Sequence, residues 1–259
     1  LYKVEWRKQS KIQNLPSPDL LKQEGTWLIL ADEQGISSQL ECLLNNHNQR
    51  CLTFQFQRAN PHSLADFKQL IEDLDNSKLP LKGVIHLWSL NLLTDLDTAI
   101  EQTCRSTLYL TQALISKYQQ SSDFPRLWLI TRGSQALGMD SLSLTHSWQS
   151  PLWGLGKTIM LEYPDFNCVC IDLDENPSTD EIQLLWREIS HPDSENQISY
   201  RQESRYVPRL VRSAVDYPVS HHLTIASKGS IEGIQWQPMS RRSPLSGEVE
   251  IKIKATGLN

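Results

Sequence analysis

"TWLILADEQGISSQL", Thr26 to Leu40, is the stretch on which the reading of the chain turns. A strand-length apolar run, a short turn and an amphipathic pattern beginning at Ile36 make a strand-turn-helix unit. Such a unit holds a dinucleotide when glycines follow the strand, because backbone N–H groups then approach the pyrophosphate at the positive end of the helix. Here the turn is Ala31-Asp32-Glu33-Gln34-Gly35, with one glycine and two carboxylates where phosphates would lie. Like charges a few ångströms apart in a partly desolvated turn cost on the order of a few kcal/mol. The turn is therefore expected to repel a phosphate, and Asp32 and Glu33 to interact instead with the positive end of the following helix.

The same rhythm repeats outward from this unit. "RCLTFQF", "KGVIHLWSL", "PRLWLITR" and "NCVCIDLD" have strand length and β-branched or aromatic content. Helical patterns separate them, over about 36–47, 63–74, 95–119 and 148–163, with a further helix over 179–189 opened by a Ser/Thr cap and first-turn acids. Strands spaced by helices predict a truncated Rossmann-like α/β fold with a mostly parallel, doubly wound sheet. "QISYRQ" and "SRYVPRLVR" suit its closing edge. At the other end "LYKVEWRK" alternates strictly, predicting a half-buried strand with Tyr2, Val4 and Trp6 on one side. A Pro/Ser connector, "NLPSPD", follows it. The expected domains are 1–215 for the α/β body, a linker over 216–222, and a β-rich C-terminal segment over 223–259 with Gly/Ser/Pro turns and no helix.

Composition narrows the classes of function. The 259 residues are 39% hydrophobic and 21% charged with a net charge of -5, an ordinary globular balance. There is no basic surplus to neutralise phosphates, and the tight basic pair Arg241-Arg242 sits in a Ser/Pro-rich segment, so no nucleic-acid partner is expected. No apolar run approaches the roughly 18 residues needed to cross a bilayer and "LYKVEWRK" lacks a signal peptide's apolar centre, which predicts a cytoplasmic protein with no membrane partner. Five cysteines at spacings of no zinc or redox motif are read as reduced, buried thiols, Cys168 and Cys170 within a strand.

Catalytic patterns are missing from the sequence. A short-chain reductase needs a Tyr with Lys four positions later, so that the ammonium lowers the phenol pKa, and no tyrosine here has one. "GLG" at Gly154 to Gly156 lies within a helical pattern and is read as close backbone packing. No G-x-S-x-G elbow occurs. His86 is read as a hydrogen-bonded core residue and His221-His222 as solvated linker residues. Trp27, Trp88, Trp128, Trp148, Trp153 and Trp186 fall within or beside predicted elements, as core or interface anchors.

"LYKVEWR", "GVIHLWSL", "LYLTQAL", "LWLITRGSQAL", "SPLWGLGKTIMLEYPDF" with "CIDLD", and "RYVPRLVR" together resemble, in this order, the structural subdomain of ketoreductases in modular polyketide synthases. The resemblance covers about residues 1–215. It implies a non-catalytic half that braces a catalytic ketoreductase subdomain, or a pseudo-ketoreductase whose partner is dead or missing. The tail "GSIEGIQWQPMSRRSPLSGEVEIKIKATGLN" resembles the start of the medium-chain-type enoylreductase domain inserted in fully reducing modules. The implied partners are the catalytic subdomain, the enoylreductase domain and an acyl carrier protein, with NADPH held by neighbouring domains and no cofactor on this chain. No catalytic, cofactor-binding or metal-binding residue carries over. Tyr2, Val4, Trp6, Trp153, Gly154, Gly156, Tyr206 and Arg209 are expected as structural or interface positions. A complete NADPH-dependent short-chain-type reductase with an atypical cofactor loop, and a stand-alone scaffold domain, remain the alternatives.

Overall fold

The computed structural model describes residues 2–10, 20–56, 63–75, 79–91, 95–121, 123–137, 144–212, 220–225, 234–240 and 243–249. The Pro/Ser connector, Arg241-Arg242 and the last part of the β-rich tail fall outside them. Two compact units emerge, Val4–Val211 and a second made of Arg212–Asn259 with Leu1–Lys3.

The main sheet is built from β1 (Tyr2–Lys8), β2 (Thr26–Ala31), β3 (Arg50–Gln55), β4 (Leu81–His86), β5 (Arg126–Arg132), β6 (Val169–Leu173), β7 (Gln197–Arg201) and β8 (Ser204–Arg212). Helices α1 (Ile36–Asn46), α2 (Leu64–Asp75), α3 (Leu96–Ile100), α4 (Ser106–Tyr118), α5 (Leu144–Ser147), α6 (Ser150–Glu162) and α7 (Glu181–Ser190) connect them. The strand order is β1-β8-β7-β6-β5-β4-β2-β3. From β3 to β7 neighbours run parallel, and β8 turns back antiparallel to β7. This is the expected Rossmann-like, mostly parallel sheet.

Strict alternation along the buried strands divides the core between two faces. Leu28, Leu30, Val84, Leu127 and Leu129 pack with Phe67 and Ile71 of α2, Leu110 and Leu114 of α4, and Leu152, Trp153 and Ile159 of α6. Trp27, Ile29, Ile85, Trp128 and Ile130 pack on the opposite face with Ile36, Leu40 and Leu44 of α1 and Leu185 and Ile189 of α7. Each such fully buried side chain contributes about 1.5–3 kcal/mol. Gly83 makes the second face possible: a Cβ there would stand 2.6 Å from the rings of both Trp27 and Trp128, which stack with centroids 5.4 Å apart.

Several expectations need correction. "LWSL" does not continue β4: after Leu87 donates its N–H to Leu30 O, Trp88–Leu90 form a 3-10 turn whose Trp88 indole donates to Phe54 O at 3.2 Å. The helix expected over 95–119 is interrupted by a π-turn, Glu101–Arg105, between α3 and α4. Thr103 and Ser106 hydroxyls there donate to the carbonyls of Ala99 and Gln102, each at 2.6 Å, competing for acceptors that a regular ladder would use. Within β1 the covered side shows only at Trp6, half-buried edge-on against Trp153 at 5.9 Å, while Tyr2 and Val4 are 69% and 64% exposed. β1 is the outermost strand, and Trp153 is the α6 side chain that reaches it.

"GLG" splits in the same way. A Cβ on Gly156 would meet Cys170 Sγ at 2.4 Å, so close packing on β6 holds there, whereas Gly154 is exposed with nothing within 4 Å. α6 turns Gly156 toward the sheet and Gly154 away from it. The thiols also divide: Cys168 and Cys170 are buried, Cys51 and Cys104 are partly so, and Cys42 is exposed.

In the second unit β9 (Ser220–Ile225) pairs antiparallel with β10 (Ile234–Met239). His221 and His222, expected in a linker, are strand residues opposite Pro238 and Gln237, because backbone pairing extends the hairpin back to Ser220.

Candidate functional site

In open α/β sheets ligands bind beyond the carboxyl ends of the strands, where the strand order reverses. Here the chain passes from β2 to β3 on one side and returns to β4 on the other, placing that switch point beyond Ala31 and His86. Asp32 occupies it. Its Oδ2 accepts the backbone N–H groups of Gln34 at 2.8 Å and Ile36 at 3.1 Å, and its Oδ1 accepts that of Ser37 at 2.7 Å. These are the donors at the start of α1, and a buried carboxylate of the same chain satisfies them. Gly35, with φ +95, lets the turn wrap around it.

Glu33 behaves differently from the expectation. It is exposed, and its backbone N–H donates to Asn91 Oδ1 at 2.8 Å, so it fastens the turn to the loop after β4. Gln34 Nε2 adds a bond to Leu90 O at 2.5 Å. Beneath them His86 is wholly buried, with Nε2 2.9 Å from Ser106 Oγ. Burial pushes the imidazole down to about 3, so it is neutral. His86 is a core residue, as expected.

A second carboxylate fills the carboxyl end of β5 and β6. Asp172 is completely buried, and its Oδ1 accepts Thr131 Oγ1 at 2.7 Å, Ser134 N–H at 2.9 Å and Ser134 Oγ at 2.8 Å. Its Oδ2 accepts Gln135 N–H at 3.2 Å and Arg201 Nη2 at 2.7 Å. The "TRGSQ" turn therefore folds around Asp172, and Gly133 at φ +60 permits the bend. Trp153 Nε1 donates to Thr131 Oγ1 at 2.9 Å, anchoring α6 to this cluster. Arg132 forms a bidentate pair with Glu181 at 2.6 and 2.7 Å, tying β5 to α7. Hydroxyls that elsewhere could meet a ligand are used internally.

Of the other expected positions, Tyr206 is half-buried on β8, and Arg209 bonds Glu195 at 3.0 Å and Gln9 Oε1 at 2.8 Å, holding β8 to the end of β1. Asn91, Ser37, Asp172 and Arg201 were not singled out by sequence reasoning. Only an Asx-type spacing from Asp32 to Ser37 could have pointed to one of them; the Asp172 contacts span 29–41 residues. Among the described residues no group of three or more His, Cys, Asp or Glu side chains is placed to hold a metal, and no helix is long and apolar enough to cross a membrane.

The sheet is that of a Rossmann-like α/β domain, with its own carboxylate at the switch point. The chain belongs to the family described as "Polyketide synthase extender module SpnB, Rossmann fold domain", whose profile matches residues 33–210. It is similar to the phthioceranic/hydroxyphthioceranic acid synthase of Mycobacterium tuberculosis, 24% identical across 100% of this chain and 12% of the synthase. Its fold is shared with the multidomain structure of a keto acid-selecting NRPS module containing a ketoreductase, at TM-score 0.70 and 21% identity over 86% of this chain and 19% of that one. The first ketoreductase of the tylosin PKS superposes at TM-score 0.62 with 21% identity, over 85% of this chain and 42% of that chain. The chain thus spans about one-eighth of the length of the mycobacterial synthase.

Proposed function

We infer that this chain is the non-catalytic structural half of a polyketide synthase ketoreductase and braces a catalytic half in a fully reducing module. The observation that carries this reading is the Asp32 carboxylate seated on the Gln34, Ile36 and Ser37 amides. A nucleotide phosphate would have to displace a bonded, buried anion of like charge from that position, at a cost of several kcal/mol. The lack of any Tyr followed four residues later by Lys points the same way.

Bracing is supported by surfaces that a second half would cover. The outermost strand β1 leaves Tyr2 and Val4 exposed, and α6 exposes Leu161 at 84%. In this reading residues 223–259 begin an enoylreductase domain. NADPH and the carrier-bound substrate are handled by neighbouring domains.

Titrating the intact chain with NADPH while following nicotinamide fluorescence tests the reading. No saturable change is expected. Micromolar binding would overturn the non-catalytic assignment in favour of a complete reductase.

A further inference from the structure

The main unit carries an open groove of about 960 Å3 beyond the carboxyl ends of β5, β6 and β7, away from the Asp32 switch point. Its lining joins two kinds of surface. The partly exposed Trp6, Leu184 and Tyr206 supply aromatic and aliphatic area, and Asp174, Glu175, Glu181 and Glu203 supply carboxylates. Among the described lining residues Arg201 is the one cation, and it is held by Asp172. Glu181 is neutralised by Arg132.

Three carboxylates are left. Asp174 accepts the neutral N–H groups of Asn176 at 3.0 Å and Gln202 at 2.5 Å, which fix its position without cancelling its charge. Glu175 stands 3.3 Å from His146 Nδ1 with about half of its side chain exposed. Glu203 is exposed in the tight β7–β8 turn. A phosphate or carboxylate ligand would meet this field as a like charge. A guanidinium would find both of its preferred surroundings, carboxylates for its N–H fork and aromatic faces for its plane.

We propose that this groove docks an arginine-bearing peptide segment presented by a separate domain. Its volume lies at the upper end of the roughly 300–1,000 Å3 of small-molecule sites, and its openness to solvent suits a length of chain. Charge complementarity selects the arginine, and the partly exposed Leu184 takes an aliphatic neighbour of it. The proposal is independent of the bracing role, since NADPH binding reads the switch point and peptide binding reads the groove.

The test is a titration of fluorescein-labelled Gly-Arg-Leu-Arg-Gly with the intact chain, followed by anisotropy at low ionic strength. Saturable binding that weakens with added salt is expected. The Glu175→Gln/Glu203→Gln variant, altered at two exposed positions so that folding is retained, should bind roughly five- to tenfold more weakly. Glu24→Gln/Glu72→Gln, the same loss of charge at exposed positions elsewhere, should leave the affinity within about twofold. Absence of saturable binding, equal weakening in both double variants, or equal binding of Gly-Glu-Leu-Glu-Gly would overturn the proposal.

Discussion

Asp32 and Ser37 grip each other across the first turn of α1: the Ser37 N–H donates to Oδ1 of Asp32 at 2.7 Å, and the Ser37 hydroxyl donates to the Asp32 carbonyl at 3.4 Å. Removing the carboxylate by Asp32→Ala leaves three backbone donors without their acceptor. The expected loss is about 2–4 kcal/mol of unfolding free energy, measured by urea denaturation. Asp32→Gly with Glu33→Gly should also yield no ketone reduction with NADPH. Turnover by that variant would show the catalytic inventory of the sequence to be incomplete.

Gly83 is a packing constraint on the two stacked tryptophans. Gly83→Ala drives a Cβ into both rings and should cost about 2–3 kcal/mol, read as a lowered urea midpoint at unchanged slope. Adding Trp128→Phe should recover part of that loss. If Gly83→Ala is neutral, the strand spacing around Trp27 and Trp128 is looser than described.

His86 makes stability depend on pH in a predictable direction. Burial holds its folded pKa near 3, whereas the unfolded imidazole takes up a proton near 6.5. The unfolded state therefore binds more protons between these values, and stability falls as pH drops below 6.5. By pH 5 this one group accounts for about 2 kcal/mol. Unfolding curves at pH 7 and pH 5 for wild type and His86→Asn should differ by this amount in their pH dependence. An unchanged dependence in the variant would place the titration elsewhere.

Glu188 lies at the centre of a buried cluster that fastens α7 to the β7–β8 pair. Its Oε1 accepts Tyr200 OH at 2.5 Å and Arg205 Nε at 2.8 Å, and Arg205 Nη2 continues to Asp193 at 2.8 Å. Desolvation, followed by the neighbouring Glu188 charge, raises the Tyr200 pKa, so the phenol stays protonated and donates. Glu188→Ala should cost about 2–4 kcal/mol by taking the shared acceptor from Tyr200 OH and Arg205 Nε, while Arg205 keeps Asp193. Glu188→Leu with Arg205→Met should restore much of it, since the pair's desolvation is then removed as well. Thermal denaturation of the single and double variants distinguishes the two contributions.

Legibility varied with the range of the interaction. β2 runs over the same residues as the apolar run "TWLILA", and α1 begins at the expected Ile36, because hydrophobic periodicity and turn composition act within a few residues. The π-turn at Glu101–Arg105 was hidden, since a helical pattern does not reveal which hydroxyls will bond to preceding carbonyls. Gly154 and Gly156 looked alike in sequence. Their difference depends on which side of α6 meets Cys170.

The amino-acid sequence by itself determined the α/β rhythm, the placement of most elements and the two carboxylates in the first turn, all of them products of local spacing and charge. Tertiary structure alone decided that Asp32 reaches three amides while Glu33 faces solvent, that Ser134, Arg201 and Thr131 converge on Asp172, and that Trp6 is covered while Tyr2 and Val4 are not. Those outcomes depend on strand order and register. They join residues far apart in the chain through packing that no short window of sequence contains.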